Sequence, residues 1–415
     1  FIFKKIHLLV LIFMPKSIQR CRISNKKDLI NIAKFSPMPL TGKVLDKLNS
    51  KVKITPFEIV FSKSSKLLQL KHNYNTKDLF GKNYGYQSGI NPIMKKHLIK
   101  KSDFLKKVID YEQNDFILDI GSNDGTFINT FNGKNKYAID PSIIIHKKNY
   151  RRNIKTFATL FESANKSLKN KKFKLITSIA MFYDLPKPVI SLKKISKLLN
   201  DDGIIHIEVA YLPKLINKKH FSYDTFCQEH LEYYSLISLN KMCELANLQI
   251  IDYGFSDING GSIWINLKKN YNLNPKIKNL ILREKKNKIH LSSTYKFFFK
   301  KIFNHSKKIK KIIEKIKIKN SIYAYGASTK GNVLLHVAGL NSKNIDGIFE
   351  INKHKINKYT TVGKIKILHE KKIQKIKPDY VLILIWHFKS YVINKIKKLS
   401  KKTKVIIPFP NIRIK

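Results

Sequence analysis

The chain has 415 residues, which is enough for two or three domains with ample hydrophobic cores. Its 81 Lys and Arg residues against 28 Asp and Glu residues give a formal net charge of +53, which would suit a nucleic-acid-binding protein. Arginine, the residue best suited to recognise bases and phosphates, is scarce, and the lysines are spread along the whole chain. We therefore expect no specific nucleic-acid partner, although an anionic substrate would be attracted.

The cysteines and the N-terminal residues indicate a cytoplasmic protein without a membrane anchor. Cys21, Cys227 and Cys243 are too scattered to form a disulfide framework or, by themselves, a metal site. The apolar run at residues 6–13 is too short to span a bilayer, and no small-residue cleavage site follows it. We expect Met14 to be the true start and residues 1–13 to be an upstream extension; a signal peptide is the alternative.

Residues 14–75 are turn-rich and strand-like, as in a small N-terminal domain. Between residues 76 and 275, apolar strands alternate with helical stretches. The predicted strands lie at 116–120, 137–140, 175–179, 203–209 and 262–267. This alternation predicts an α/β domain in which helices cover a parallel sheet.

The first of these strands runs into a glycine turn, and the second ends at Asp140, whose carboxylate suits the hydroxyls of a ribose. Gly121 lets a ligand lie against the main chain, and we expect a helix N-terminus near residues 126–129 to offer free N–H groups. Asn123 replaces the second glycine of the dinucleotide fingerprint, so no backbone gap is left for a pyrophosphate. The pattern predicts S-adenosylmethionine (SAM) rather than NAD; a turn without any ligand is the alternative. The predicted SAM-binding residues are Asp119, Gly121, Ser122, Asn123, Asp124, Gly125, Asp140, Ala180 and Met181.

Residues 223–235 are dense in polar and aromatic groups and follow a predicted strand, where ligands bind in open α/β sheets. Histidine titrates near neutrality, so His230, beside Glu229, is a candidate base, with Tyr233 one turn on. Zinc is a poor alternative because no H-E-x-x-H motif occurs. A purely structural His-Glu pair remains the other interpretation.

Residues 276–320 are predicted to be a connecting helical segment, with apolar residues such as Phe298, Ile302 and Ile309 at helical spacing. A packed helix is favoured over a membrane-surface helix. Residues 321–415 form a second α/β unit, in which a strand enters Gly326-Ala327-Ser328-Thr329-Lys330 and a helix is expected from Val333. Small residues, a lysine and a helix N-terminus suit an anion, although a tight structural turn is the alternative.

Several segments, in this order, resemble the sugar C-methyltransferase family of SAM-dependent enzymes, over nearly the whole chain. They are residues 84–91 (YGYQSGIN), 121–125 (GSNDG), 181–186 (MFYDLP), 224–230 (DTFCQEH), 259–262 (NGGS), 325–332 (YGASTKGN) and 378–387 (PDYVLILIWH). The resemblance implies a small N-terminal zinc-binding domain, a central Rossmann-like SAM domain and a C-terminal Rossmann-like domain. A nucleotide-linked keto-sugar would lie between the last two.

The implied activity is methylation of a carbon next to the ketone of a nucleotide-linked deoxy keto-sugar, through an enolate, in surface polysaccharide or deoxysugar biosynthesis. The resemblance makes His230 the base, Glu229 its supporter and Tyr86 a substrate-side contact. Cys227 and Gln228 depart from the family's tyrosine and histidine at those positions. The predicted substrate-binding residues are Tyr223, Asn259, Gly260, Gly326, Ser328, Lys330, Asn332 and His387.

The zinc site that the resemblance implies is degenerate in this sequence. Its two C-x-x-C pairs correspond to Cys21 with Ser24 and to Ser62 with Ser65. Serine is a poor zinc ligand and one thiolate cannot close a tetrahedral site, so we expect no zinc. Two alternative functions stay open at this point, methylation of an O or N acceptor and a catalytically silent SAM-fold binding protein. We expect a monomer.

Overall fold

The computed structural model describes residues 15–80, 84, 86–270 and 274–415. The predicted extension at 1–13 and the predicted start at Met14 lie outside the described residues. No helix in the described part of the chain combines the length and the apolar content that crossing a bilayer requires.

The N-terminal part consists of antiparallel strands. They are β1 (Lys16–Ser17), β2 (Leu29–Pro39), β3 (Val44–Leu45), β4 (Ile54–Ser62), β5 (Leu68–Leu70) and β6 (His72–Asn73). Strands β2, β4 and β5 belong to one sheet, the N-terminal sheet, whereas β1 pairs with β6. Along β4, buried and half-buried side chains alternate at residues 54–59, as expected when one face of a sheet packs on a core.

The central domain is built on a seven-stranded sheet. Its helices are α1 (Thr76–Leu79), α2 (Pro92–Val108), α3 (Ile143–His146), α4 (Phe161–Ala164), α5 (Pro188–Leu198), α6 (Leu212–Ile216) and α7 (Leu236–Leu245). Its strands are β7 (Ile117–Ile120), β8 (Lys136–Ile139), β9 (Ile154–Phe157), β10 (Phe173–Ile179), β11 (Leu199–Ala210), β12 (Glu232–Tyr233), β13 (Gln249–Ser256) and β14 (Ser262–Lys268). All of them except β12 belong to this sheet.

The strand order β13-β14-β11-β10-β7-β8-β9 creates the site. Strands β9, β8, β7, β10 and β11 are parallel, and β14 joins antiparallel to β11 and β13. The chain leaves β7 towards β8 on one side and returns to β10 on the other. This switch point opens a crevice at the carboxyl ends of β7 and β10, where open α/β sheets bind their ligands.

Two helices, α8 (Pro275–Lys286) and α9 (Ser292–Lys317), connect the central and C-terminal domains. The predicted apolar face of α9 is confirmed, since Phe298, Ile302, Ile309 and Ile313 are buried. They pack in one hydrophobic core shared with the N-terminal sheet and the C-terminal domain.

The C-terminal domain is a second, mainly parallel sheet with the order β18-β16-β15-β19-β20-β21. Its elements are β15 (Ile322–Tyr325), α10 (Thr329–Ala338), β16 (Gly347–Glu350), β17 (Tyr359–Thr360), β18 (Ile367–His369), α11 (Ile373–Ile376), β19 (Tyr380–Ile383), α12 (Lys389–Leu399), β20 (Lys404–Ile407) and β21 (Arg413–Ile414). Its first strand, β15, also lies at a switch point, between β16 and β19.

The N-terminal sheet is interlocked with both other domains. Strand β12, which closely follows His230, pairs antiparallel with β5 and completes the four-stranded sheet β12-β5-β4-β2. Strand β3 pairs with β17 of the C-terminal domain. A small sheet that shares strands and core with its neighbours does not have to fold on its own.

Two sequence-based expectations about helices are wrong. No α-helix follows the glycine turn; only a 3-10 turn, Ile128–Thr130, lies there. The connection between β7 and β8 is short, and Gly125 takes a φ of 80°, outside the helical region. Helix α10 begins at Thr329 rather than at the expected Val333. The side chain of Ser328 caps it by accepting from the Gly331 N–H at 3.0 Å.

Candidate active site

A cavity of about 310 Å³ opens at the carboxyl ends of β7, β8 and β10; we name it the glycine-turn cavity. Gly121 lines it with a φ of 80°, and a Cβ added there would lie 2.6 Å from the Cβ of Met181. A side chain at this position would therefore both strain the turn and fill the cavity. Eight of the nine predicted SAM-binding residues line the cavity: Asp119, Gly121, Ser122, Asn123, Asp124, Asp140, Ala180 and Met181.

Two carboxyl groups line this cavity, the buried Asp119 and the half-buried Asp140. Asp119 accepts from the Thr177 hydroxyl at 2.7 Å, and burial raises its pKa to about 7. Asp140 accepts from the Asn123 N–H at 3.0 Å and from the Ser142 N–H at 2.7 Å, and burial raises its pKa as well. Asp140 is thus fixed at the end of β8, where the sequence analysis expected a ribose contact.

Asn123 and Asp124 hold a segment of chain across the cavity. The Asn123 side chain accepts from the Ser88 N–H at 2.9 Å and donates to the Tyr86 carbonyl at 3.2 Å. Asp124 accepts from the Gly89 N–H at 2.8 Å. The glycine turn therefore positions the Tyr86–Gly89 backbone, a role that the sequence analysis did not foresee.

A second cavity, of about 250 Å³, lies between the central and C-terminal domains; we name it the His230 cavity. It is lined by residues 84, 86–87 and 90–92, by the catalytic candidates Glu229 and His230, and by the N-terminal turn of α10. The predicted residues that line it are Tyr86, Glu229, His230, Asn259, Gly326, Ser328, Lys330 and His387.

The backbone carbonyl of Thr225 orients the imidazole of His230. Its Nδ1 lies 2.9 Å from the Thr225 carbonyl, which only accepts hydrogen bonds, so Nδ1 carries the proton and Nε2 keeps a free lone pair. Its ring centroid lies 4.3 Å from that of Tyr183. Burial, reinforced by the charge of Lys330, lowers the pKa of His230 to about 3. The ring is therefore neutral at pH 7 and can accept a proton at Nε2.

Glu229 is a buried carboxyl group with one oxygen left without a hydrogen bond among the described residues, Oε1. Its Oε2 accepts from the Thr329 hydroxyl at 3.4 Å, and burial raises its pKa to about 7. Gly42 makes room for it, because a Cβ added at Gly42 would lie 1.7 Å from Oε1. A loop of the N-terminal domain thus packs against the Glu229 side chain.

Comparison with known proteins now adds to this geometry. Residues 94–253 match the model of a methyltransferase domain, and residues 257–410 match that of a C-methyltransferase C-terminal domain. The C-methyltransferase NovU of Streptomyces niveus is 25% identical over 412 residues, which cover 96% of this chain and 97% of NovU. The chain is a SAM-dependent C-methyltransferase.

Among solved structures, a SAM-dependent methyltransferase from Clostridium acetobutylicum ATCC 824 aligns with 41% of this C-methyltransferase and 91% of its own chain, at 15% identity and a TM-score of 0.32. A Burkholderia thailandensis 1,6-didemethyltoxoflavin-N1-methyltransferase aligns with 45% of this chain and 84% of its own, at 13% identity and a TM-score of 0.34. The α/β class predicted from the sequence is confirmed by the two mainly parallel sheets of this chain, and the predicted SAM dependence is confirmed by the methyltransferase-domain match.

In this C-methyltransferase the two cavities meet. Four described residues line both of them: Tyr84, Tyr86, Ala180 and Asp184. Tyr86 is 41% exposed, which places it at the mouth. The sequence analysis missed Tyr84 and Asp184 as site residues, although both lie in the segments that carried the resemblance. Asp184 follows a predicted strand by a few residues, and that position was the available signal.

Lys330 is a half-buried cation in the wall of the His230 cavity. Its ammonium donates to the Asn259 carbonyl, and burial lowers its pKa, opposed by the charge of Asp224. Asp224 is itself held by the indole N–H of Trp386 at 3.0 Å and by the Ser222 hydroxyl at 2.6 Å. A cation, a neutral imidazole and a carboxyl group therefore share one cavity.

Five predicted site residues are not in the walls of either cavity. Tyr223 is buried and its hydroxyl is 3.1 Å from Nδ1 of His305. Tyr233 lies in β12, where it packs against Phe226. The three others are Gly125, Gly260 and Asn332, and the Asn332 amide donates to the Thr41 carbonyl at 2.7 Å. These five residues therefore lie outside the walls of both cavities.

The positions that correspond to zinc ligands meet in space but present the wrong atoms. Cys21 Sγ lies 3.0 Å from Ser65 Oγ, and the Ser64 hydroxyl donates to Ser24 Oγ at 2.7 Å. The Ser62 hydroxyl donates to Asp28 at 3.0 Å. One thiol and several hydroxyls do not fit zinc, which prefers thiolate and imidazole. Hydrogen bonds join these side chains instead, and the absence of zinc stays a prediction.

Proposed function

We propose that this enzyme transfers the methyl group of SAM to the carbon next to the ketone of a nucleotide-linked deoxy keto-sugar. The observation that carries the proposal is the neutral His230 imidazole, oriented with a free Nε2 in a cavity that adjoins the glycine-turn cavity. The sequence resemblance to sugar C-methyltransferases supports the class of acceptor.

The glycine-turn cavity suits SAM because it offers a close main-chain approach at Gly121 and a fixed carboxyl group at Asp140. In this proposal Asp140 accepts hydrogen bonds from the ribose hydroxyls, and Asp119 lies beside it. Bound SAM supplies a methyl group that is already activated by its sulfonium, so the protein mainly has to align the two reactants.

The His230 cavity provides what a carbon nucleophile requires. Nε2 of His230 takes the proton from the carbon next to the ketone, the C–H electron pair forms the enolate, and the enolate carbon bonds to the methyl carbon as its bond to sulfur breaks. Thr225 holds the ring in the tautomer that makes this possible. An O or N nucleophile would not need a base at this place.

Positive groups of the same cavity suit the remaining charges of the acceptor. Lys330 is close enough to His230 for its charge to lower the pKa of the imidazole, and in this proposal its ammonium stabilises the enolate oxygen. The N-terminus of α10, capped by Ser328, and Lys355 line the same cavity and suit the phosphate groups. Lys330 lines this cavity, whereas Tyr223 and Tyr233 do not.

Solvent deuterium exchange tests the carbon acid step directly. The enzyme is incubated in D2O with a keto-sugar nucleotide and S-adenosylhomocysteine, so that no methyl transfer occurs. We expect deuterium to enter at the carbon next to the ketone with the wild type and not with His230→Asn. No exchange above the enzyme-free rate for any keto-sugar nucleotide that binds would contradict the proposed base and favour an O or N acceptor.

A further inference from the structure

The boundary between the two cavities is where a methyl group must pass from donor to acceptor. Among the described residues, Tyr84, Tyr86, Ala180 and Asp184 line both cavities. The phenols of the two tyrosines stay neutral near pH 7, and Ala180 has no polar side chain. Asp184 is therefore the one member of this group that can carry a charge at neutral pH.

Asp184 is fixed in place by its neighbours. It ends the 3-10 turn Phe182–Asp184, directly after β10. The carbonyl of Tyr183 accepts from the Leu231 N–H at 2.8 Å, and the Tyr183 ring packs on His230. Through Tyr183, the position of the Asp184 carboxyl group is thus linked to that of the proposed base, His230, although no described hydrogen bond joins the two side chains.

The carboxyl group of Asp184 has no partner in the described part of the chain that would balance a negative charge. Its Oδ1 is buried without a hydrogen bond, and no described ion pair involves it. The charged groups that act on it are all acidic: Glu229, Glu232 and Asp140. Burial first, and then these carboxylates, raise the pKa of Asp184 well above its ordinary value. A negative charge on Asp184 is therefore unfavourable as long as no cation lies beside it.

A cation at the boundary would reverse that preference. SAM carries its positive charge on the sulfonium, next to the methyl group that has to reach the His230 cavity. We propose that Asp184 is the anionic partner of the sulfonium, and that it makes the site select SAM over its neutral product. The inference rests on the proposed placement of SAM in the glycine-turn cavity.

The proton balance follows from this pairing. Binding of SAM releases the Asp184 proton to solvent, and the carboxylate faces the sulfonium. Methyl transfer breaks the sulfur–methyl bond and leaves a neutral thioether, while the proton lost by the acceptor carbon resides on His230. Asp184 then takes up a proton again, and the pairing that held the donor no longer holds the product.

Calorimetry without any acceptor tests this inference. The wild type and Asp184→Asn are titrated with SAM, with sinefungin, which carries an ammonium in place of the sulfonium, and with S-adenosylhomocysteine, which is neutral there. We expect Asp184→Asn to weaken both cationic ligands by about tenfold or more and S-adenosylhomocysteine by less than about twofold. Asp103→Asn, which removes an exposed carboxylate from α2, should change none of the three.

A second measurement keeps the test independent of the variant's folding. Wild-type titrations at pH 7 in buffers of different ionisation enthalpy should show proton release with SAM and none with S-adenosylhomocysteine. Equal weakening of all three ligands, unchanged binding of all three, or no proton release would overturn the inference. Since no acceptor is present, failure of the keto-sugar proposal leaves these results unchanged.

Discussion

The carbonyl of Thr225 and Nδ1 of His230 lie 2.9 Å apart, five residues from each other in the chain. This contact settles which ring nitrogen is free, because a carbonyl can only accept. The imidazole of the proposed base is therefore oriented by the local backbone and not by a carboxylate partner. Glu229, its neighbour in sequence, is directed instead towards Thr329 of the C-terminal domain.

Replacement of His230 by Asn should abolish methyl transfer and spare SAM binding. A positioned base contributes about 10²- to 10⁴-fold to such a step, and the ring lines the His230 cavity rather than the glycine-turn cavity. Turnover and SAM affinity are measured on the same preparation. His369→Asn is a matched control, because Asn can replace this histidine as a helix cap. Loss of SAM binding in His230→Asn would refute its role as base.

Glu229 should make the folded state pH-dependent. Its folded pKa of about 7 lies above the ordinary value of 4.5, so its favourable contribution is complete below about pH 4.5 and is lost as the pH rises through 7. Glu229→Gln should then gain stability over the wild type at pH 8, by at most about 3 kcal/mol, and little at pH 5. Urea unfolding at both pH values measures the difference. Glu112→Gln, at an exposed site, serves as the control, and an equal effect at both pH values would contradict the burial of an ionisable Glu229.

Gln228 should be a major link between the N-terminal domain and residues 223–235, the candidate catalytic segment. Its amide donates to the carbonyls of Met38 at 3.1 Å and Pro39 at 2.9 Å, and its oxygen accepts from the Thr41 hydroxyl at 3.2 Å. Gln228→Ala would leave buried groups unpaired, and we expect a loss of about 1–3 kcal/mol in the free energy of unfolding. Exposed Gln113 mutated to Ala should cost far less; equal losses would show that these contacts do not stabilise the protein.

Restoring thiols to the N-terminal domain should create a zinc site. The hydroxyls of Ser24, Ser62 and Ser65 act on the Cys21 thiol, so the four positions converge. The triple variant Ser24→Cys, Ser62→Cys, Ser65→Cys should bind one zinc ion per chain, and the wild type none. Elemental analysis and the absorption of the cobalt form measure this. Stoichiometric zinc in the purified wild type would show that the hydrogen-bonded serines do not replace the metal.

The central strands and the candidate catalytic segment could be predicted from the sequence because the patterns that indicate them lie within short stretches of the chain. Apolar runs predict strands that are buried on both faces, such as β7 and β10, and a polar aromatic cluster after a strand marks a ligand site. The predicted SAM-dependent C-methyltransferase is confirmed by the two family models that the chain matches and by its identity to NovU. The turn at Gly121 could also be predicted, because a glycine after a strand indicates a backbone conformation that other residues rarely adopt.

What the sequence did not reveal depends on contacts between distant segments. The pairing of β12 with β5 brings Tyr233 into the N-terminal sheet and away from the cavities. The fit of Glu229 against Gly42 joins residues that are far apart in the chain. The helix expected after the glycine turn failed for a local reason, since Gly125 takes a positive φ. Contacts between distant segments, such as those of β12 with β5 and of Glu229 with Gly42, leave no periodic pattern within a single segment.

The central claim is carbon methylation next to a ketone, and one measurement addresses it most directly. The enzyme is incubated with a keto-sugar nucleotide and SAM labelled with ¹³C in its methyl group, and the product is examined by NMR. We predict that the labelled methyl is bonded to the ring carbon adjacent to the ketone. A labelled methyl on oxygen or nitrogen, or no transfer to any keto-sugar nucleotide, would contradict the proposed function.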